Sequence, residues 1–381
     1  MNSDAPLDQA FDAYNARRFD EAEHLVRAVL ALSPQHGDAL YLLGLIAVQS
    51  GALSIAEDAL YQAVQLYPDI AAYRCALAMT LHKQGRLDEA LEHYRRYASD
   101  LAVLAQMGLI YLNKNQESTA RACFDKALSF DKAHPESLIG LAQIHIMRRR
   151  WKMAEQTLHR IATDTPDKWY YLGHLYRRTK RFAAARRALD KALAAPHESY
   201  WIERGRTEWE DGKTDAALVC FQNAVRLNPY AAAAYYYAGR VQADGGRLDE
   251  AVDSYRQALK RDDDFLEAHH YLAEALCRSG RAPEGLEHYH RALLLNPRYV
   301  PSLFQLAALL ENIGEFEEAA GLYFNVLSLK ARVPRLSVRL AKTLEGLAKT
   351  DLKLARKLAK GWVKNFPADK RAICLNNQLK K

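Results

Sequence analysis

The sequence predicts an all-α fold: a right-handed superhelical solenoid of about ten helix–turn–helix units, closed by a C-terminal capping helix. Three observations predict it: a small residue returning at a fixed interval, an apolar stripe in phase with it, and glycine and proline at the turns. The hexapeptide GRLDEA stands at 85–90 and again at 246–251, with looser copies ending at Ala22 and Ala319. The small residue closing it recurs at Ala22, Ala56, Ala90, Ala120, Ala154, Ala185, Ala217, Ala251, Gly285 and Ala319, at spacings of 34, 34, 30, 34, 31, 32, 34, 34 and 34. Self-similarity at such a period marks a stack of supersecondary units.

Other positions keep the same phase. Twelve residues earlier a second small residue occurs, as at Gly44, Gly108, Gly173 and Gly239; four residues later a large apolar one follows, as at Leu60, Phe124, Leu189 and Tyr255. Spacings of three and four place such residues on one helix face, and small residues let two helix backbones approach closely. Gly51, Gly85, Gly212, Gly246, Gly280 and Gly314 supply the positive φ that ends each first helix. Pro34, Pro68, Pro166, Pro229 and Pro297 stand where a second helix must stop. A single hairpin cannot bury its own stripe, so the units must stack.

In chain order, residues 1–36 form an N-terminal capping unit whose first helix lacks the glycine. Residues 37–333 form an array of about nine units. Three of these are shortened, by four, three and two residues, and the simplest expectation is shorter turns between units; a local change in superhelix pitch is the alternative. Residues 334–381 read as a degenerate helix pair, 336–347 and 352–365, followed by a short basic helix over 368–381 that shields the exposed end.

This pattern resembles the tetratricopeptide repeat family in its multi-repeat, bacterial form, whose units read W-x2-L-G-x2-Y, then A-x3-F, A and P. The run Ala39, Leu40, Tyr41, Leu42, Leu43, Gly44, continued by Ala56, Leu60, Ala63 and Pro68, fits almost throughout. The resemblance covers residues 3 to about 333. It implies a non-catalytic scaffold or adaptor that binds a peptide or protein segment in a concave groove. In the family that groove is lined by the second, fifth, sixth, ninth, twelfth and thirteenth residues of each first helix. Mapped here, the early lining is small and apolar: Tyr41, Leu42, Leu45, Val48, Ala72, Ala76, Met79, Ala105, Leu109 and Leu112. Between residues 166 and 300 it becomes Tyr170, Tyr171, His174, Arg177, Arg178, Arg206, Trp209, Tyr236, Tyr237, Arg240, His270, Tyr271, Glu274 and Arg278.

Aromatic and arginine side chains dominate binding hot spots, and arginine suits an acidic peptide or a C-terminal carboxylate. Tyrosine at the fifth position also serves in the family simply to pack on the next helix. Two ligand codes of the family are absent. No lysine, asparagine and arginine set forms the carboxylate clamp of its chaperone-binding members. The sixth position, which carries an asparagine ladder in the O-GlcNAc transferase solenoid, holds Leu42, Ala76, Gln106, Gly140, Tyr171, Glu203, Tyr237, Tyr271 and Gln305 here.

The formal charge of +7 is uneven: residues 330–381 hold fifteen Lys/Arg against three acids, a net of +12, leaving −5 on the rest. A second basic patch comprises Arg148, Arg149, Arg150, Lys180 and Arg181, flanked by Arg186 and Arg187. These patches support the alternative of an RNA-binding or anionic-surface-binding solenoid. A further alternative is the substrate-recognition part of a larger assembly such as a glycosyltransferase. Catalysis itself is not expected, because no GxxxxGKS/T, GxSxG or HExxH motif occurs. No cofactor or metal is expected either. The pairs His269/His270 and His288/His290 read as packed or solvated histidines, and the five cysteines as buried free thiols. The longest apolar run, residues 39–48, is half a bilayer span, and the N-terminus lacks a basic–apolar leader, so the chain is expected in the cytoplasm.

Overall fold

The computed structural model describes residues 4–380; residues 1–3 and 381, the outer ends of the expected first unit and terminal helix, lie outside the described residues. The described residues form 23 α-helices and no strand, the α-solenoid class that the periodicity predicts. They divide into two compact units, Met1–Asp211 and Gly212–Lys381. The first unit runs from helix Asp4–Asn15 to helix Glu198–Glu210, the second from Thr214–Leu227 to Lys370–Gln378. Within each, successive helices pack as hairpins and each hairpin packs on the next.

The phase-setting alanines form the centre of each hairpin: Ala22, Ala56, Ala90, Ala120, Ala154, Ala185, Ala217, Ala251 and Ala319 are all 0% exposed. The pairing of small and large residues sixteen apart has a direct steric cause. A Cβ added at Gly108 would lie 2.4 Å from Phe124 Cε1, and one at Gly44 would lie 2.4 Å from Leu60 Cγ. The large side chain occupies the space that glycine leaves.

The turn between helices repeats as well. Gly85 sits at φ 79°, and Arg86 N–H donates back to the Leu81 carbonyl at 2.9 Å, closing a Schellman-type end. Units that lack the glycine keep the same turn with other residues. Asn115, Arg149 and Lys180 adopt φ of 57°, 55° and 58°, with the same backbone closure by Gln116, Arg150 and Arg181.

The shortened units correct one expectation. Their second helices, Leu87–Arg95, Trp151–His159 and Phe182–Ala192, have 9, 9 and 11 residues against 14 in Leu53–Leu66. The connections that follow, 96–100, 160–165 and 193–197, are longer than the ordinary 67–70 rather than shorter. Residues that begin the next helix early explain this. Asp100 caps it by accepting from Ala102 and Val103 N–H. Thr165 caps helix Pro166–Arg178, and Pro196 forbids continuation of the helix before it.

The cap follows the predicted bounds closely, as helices Leu336–Ala348, Leu352–Asn365 and Lys370–Gln378. The last begins two residues later than expected because Asp369 serves as its N-cap, accepting from Arg371 N–H at 3.0 Å. Trp362, Ala355 and Ala359 are 0% exposed and share one core with Leu340 and Leu344 of the cap's first helix and with Tyr323 of the hairpin before it.

Candidate interaction surfaces

In the first unit, helix Pro166–Arg178 carries Tyr170, His174, Arg177 and Arg178 at spacings of four, three and one, and helix Glu198–Glu210 carries Arg206 and Trp209. Glu203, which charge-pattern reasoning on the arginines alone passed over, organises them. It is 1% exposed and receives Arg177 Nε at 2.6 Å, His174 Nδ1 at 3.0 Å and Arg206 Nη1 at 3.1 Å. Burial pushes its pKa up, but the His174 hydrogen bond and the charges of His174, Arg177 and Arg206 outweigh this and hold it at about 2. Arg177, expected as a groove-lining cation, is therefore corrected. Only 2% exposed, it is paired with Glu203 and also with Glu210, which leaves it no outward surface.

Tyr170 and Tyr171 meet edge to face at 5.0 Å, Tyr170 packs on Tyr200 at 5.4 Å, and Tyr171 accepts from Gln143 Nε2 at 2.9 Å. Tyr170, Tyr171 and His174 line a cavity of about 270 Å³ with Gln143, Ile146 and Met147. Arg178 is exposed, while Arg206 and Trp209 are half-buried. The early apolar lining encloses a second cavity of about 360 Å³, bounded by Tyr41, Leu45, Ala72, Ala76 and Met79. Leu42, Ala105 and Leu112, expected beside them, are instead buried in the core.

The basic patch is partly compensated. Arg148 pairs with Glu117 at 2.8 Å, Arg181 with Glu155 at 3.0 Å, and Arg186 grips Glu208 with two nitrogens. This belongs to a recurring device, because Arg86 pairs with Glu57 at 2.5 Å and Lys114 pairs with Asp88. In Arg86–Glu57, Lys114–Asp88, Arg148–Glu117 and Arg181–Glu155 the turn residue of one repeat reaches an acid in the second helix of the repeat before it, whereas Arg186 lies within its helix and reaches forward to Glu208. Arg149, Arg150 and Lys180 are exposed.

In the second unit, helices Ala232–Asp244 and Leu266–Arg278 bring the remaining predicted residues together. The Arg240 guanidinium lies 3.9 Å from the Tyr271 ring centroid and donates to Tyr236 Oη at 3.1 Å. Tyr236 packs on Tyr237 at 5.0 Å, Phe265 at 4.9 Å and Tyr271 at 5.9 Å, and Tyr237 stacks on Phe221 at 5.9 Å. Tyr236 and His270 are buried and form the floor, whereas Tyr237, Arg240, Tyr271 and Glu274 are half-exposed and Arg278 is exposed. His270 hydrogen-bonds Ser302 Oγ at 3.0 Å, and burial, helped by the Arg240 charge, lowers its pKa to about 4.

His269 and His288 approach Nδ1 to Nδ1 at 3.0 Å, and His269 Nε2 donates to the Asp263 carbonyl at 2.8 Å. Among the described residues no group of three or more His, Cys, Asp or Glu is placed to hold a metal ion. Of the five cysteines only Cys220 is buried; Cys75, Cys123 and Cys277 are half-buried and Cys374 is exposed, which corrects the uniform burial expected. Among the described residues no helix is long and apolar enough to cross a membrane.

Models of the tetratricopeptide repeat match residues 7–69, 53–102, 101–134, 169–195, 202–265 and 302–336, about two thirds of the chain. The TPR repeat-containing protein MJ1428 of Methanocaldococcus jannaschii is 20% identical over an alignment of 253 residues that covers 60% of this chain and 44% of that protein. The chain thus spans less than half the length of that relative. Among solved structures, the human IFIT1 dimer with PPP-AAAA matches with a TM-score of 0.60 at 17% identity, covering 90% of this chain and 89% of that one. The human IFIT1 dimer with m7Gppp-AAAA matches at 0.61 and 16% identity, again over 90% and 89%. At these identities the likeness is one of fold.

Proposed function

We propose, because the chain belongs to the tetratricopeptide repeat family, that it is a non-catalytic scaffold holding an extended segment of another protein on the Tyr237–Arg240–Tyr271 surface of its second unit. The observation that carries this reading is the Arg240 guanidinium laid on the Tyr271 ring at 3.9 Å and tied to Tyr236. A cation fixed in this way over a floor of buried aromatics loses little side-chain entropy on binding, and it offers a carboxylate both charge and apolar area. In the first unit Arg177 is instead buried against Glu203 and Glu210 and presents no outward surface to a ligand.

The human IFIT1 dimers, solved with PPP-AAAA and m7Gppp-AAAA, suggest a second reading, in which the same aromatics stack on bases. One experiment separates the two. Arg240→Ala/Arg278→Ala spares the buried Tyr236 and should leave helicity and melting close to wild type. Affinity capture with mass spectrometry should lose its protein partners in this variant, with and without nuclease. Identical capture by wild type and variant refutes the proposal. Capture abolished by nuclease alone moves the function to nucleic acid.

A further inference from the structure

We propose that the outward face of helix Leu352–Asn365 binds the phosphate backbone of a nucleic-acid strand. Lys353, Arg356, Lys357, Lys360 and Lys364 follow one another at spacings of three, one, three and four. At about 100° per residue they fall in a single stripe along the helix. All five are exposed, and the helix contains no acidic residue. Of the three acids of residues 330–381, Glu345 is exposed on the preceding helix, and the other two are hydrogen-bonded. Asp351 caps the helix by accepting from Leu354 N–H at 2.8 Å, and Asp369 accepts from Ser337 Oγ at 2.8 Å. Buried Glu311 takes the ion pairs of Arg339 and Lys342. Arg356 Nε is anchored on the Leu379 carbonyl at 2.5 Å, which fixes the middle of the row.

The opposite face decides against a bilayer. An interfacial helix binds lipid by burying its apolar side, but here Ala355, Ala359 and Trp362 are already 0% exposed within the solenoid. An acidic protein partner is also a poor match. Such surfaces favour aromatic anchors at their hot spots, whereas this stripe contains no aromatic. Lysines are point charges suited to a ligand recognised by charge spacing alone. From Lys353 to Lys364 the row extends ~16 Å at 1.5 Å per residue, long enough to meet several successive phosphates of one strand. With one phosphate to each cation, five contacts are the upper limit. The +12 of residues 330–381, against −5 elsewhere, also draws a polyanion toward this end of the chain.

The test is fluorescence anisotropy of the full chain with fluorescein-labelled 15-nucleotide oligo-U and oligo-dT between 50 and 200 mM NaCl. Five single-strand phosphate contacts, the upper limit, give a log–log slope of about −3.5, or a loss of roughly 100-fold across that range. Lys357→Gln/Lys360→Gln should reduce the slope to about −2, and because both lysines are exposed the fold should be unaffected. Arg240→Ala/Arg278→Ala should leave the slope unchanged, which separates this site from the one proposed above. A flat salt response, a slope insensitive to the lysine pair, or one removed by the Arg240/Arg278 variant overturns the proposal. So does binding to vesicles containing 30% phosphatidylserine in the absence of any oligonucleotide binding.

Discussion

Replacing Glu203 with glutamine removes the anion on which His174, Arg177 and Arg206 converge while preserving its shape. Two estimates of the cost agree. Leaving one partner of a buried ion pair uncompensated costs about 3–5 kcal/mol. Independently, holding the carboxyl at about 2 rather than its ordinary 4.5 corresponds to about 3 kcal/mol. The sign follows from the lowered value: this stabilisation is complete above about pH 4.5 and disappears as the pH falls through 2. Thermal melts followed by circular dichroism at pH 7 should show Glu203→Gln lowered by about 10 °C in a unit of this size. The gap should close as both proteins are titrated toward pH 2. The double variant Arg177→Met/Glu203→Leu, which removes both charges, should recover at least half the loss. A Glu203→Gln protein within about 1 kcal/mol of wild type at pH 7 would refute the claim that this carboxylate organises the site.

Further outcomes follow from the same geometry. Gly108→Ala places a methyl 2.4 Å from the Phe124 ring, so urea denaturation should show a loss of about 1–3 kcal/mol. Lys180→Gly relieves a left-handed turn at φ 58° and should raise stability by up to about 1 kcal/mol in the same assay. His270, held neutral to about pH 4, lets the unfolded chain take up a proton that the folded one resists. Stability should therefore fall between pH 6.5 and 4 by up to about 3 kcal/mol, and His270→Gln should flatten that portion of the pH profile.

Most of the fold was legible because the repeat writes the same contact many times. Ala56, Leu60 and Gly44 occupy the same relation as Ala120, Phe124 and Gly108, so periodicity alone places them in the core. The shortened units were misread because a missing residue looks the same in sequence whether a turn or a helix loses it. Only the competing caps Asp100 and Thr165, and the stop at Pro196, assign the loss to the helix. Arg177 and Arg206 were legible as residues of one face but not as partners of Glu203, since helical phase states direction and not what lies opposite. Arg149 and Lys180 gave no sign of left-handed backbone, a conformation that sequence marks reliably only with glycine or asparagine.

The pairings Arg86–Glu57, Lys114–Asp88, Arg148–Glu117 and Arg181–Glu155 all join a basic turn to an acid of the repeat before it. Because every junction in this run uses the same signs in the same order, excising one whole hairpin would bring a basic turn against another waiting acid. Duplicating a hairpin would do the same. The number of repeats in this stretch is thus free to drift by whole units without creating a like-charge junction. At Arg247 and Arg281 the ion pairs are those to Glu250 and Glu284 of their own helices, a contact that Arg86 also makes, to Glu89, beside its reach to Glu57. A hairpin moved from the later repeats into the earlier ones would therefore arrive with an arginine that can hold its own helix and still reach the acid beside it, as Arg86 does.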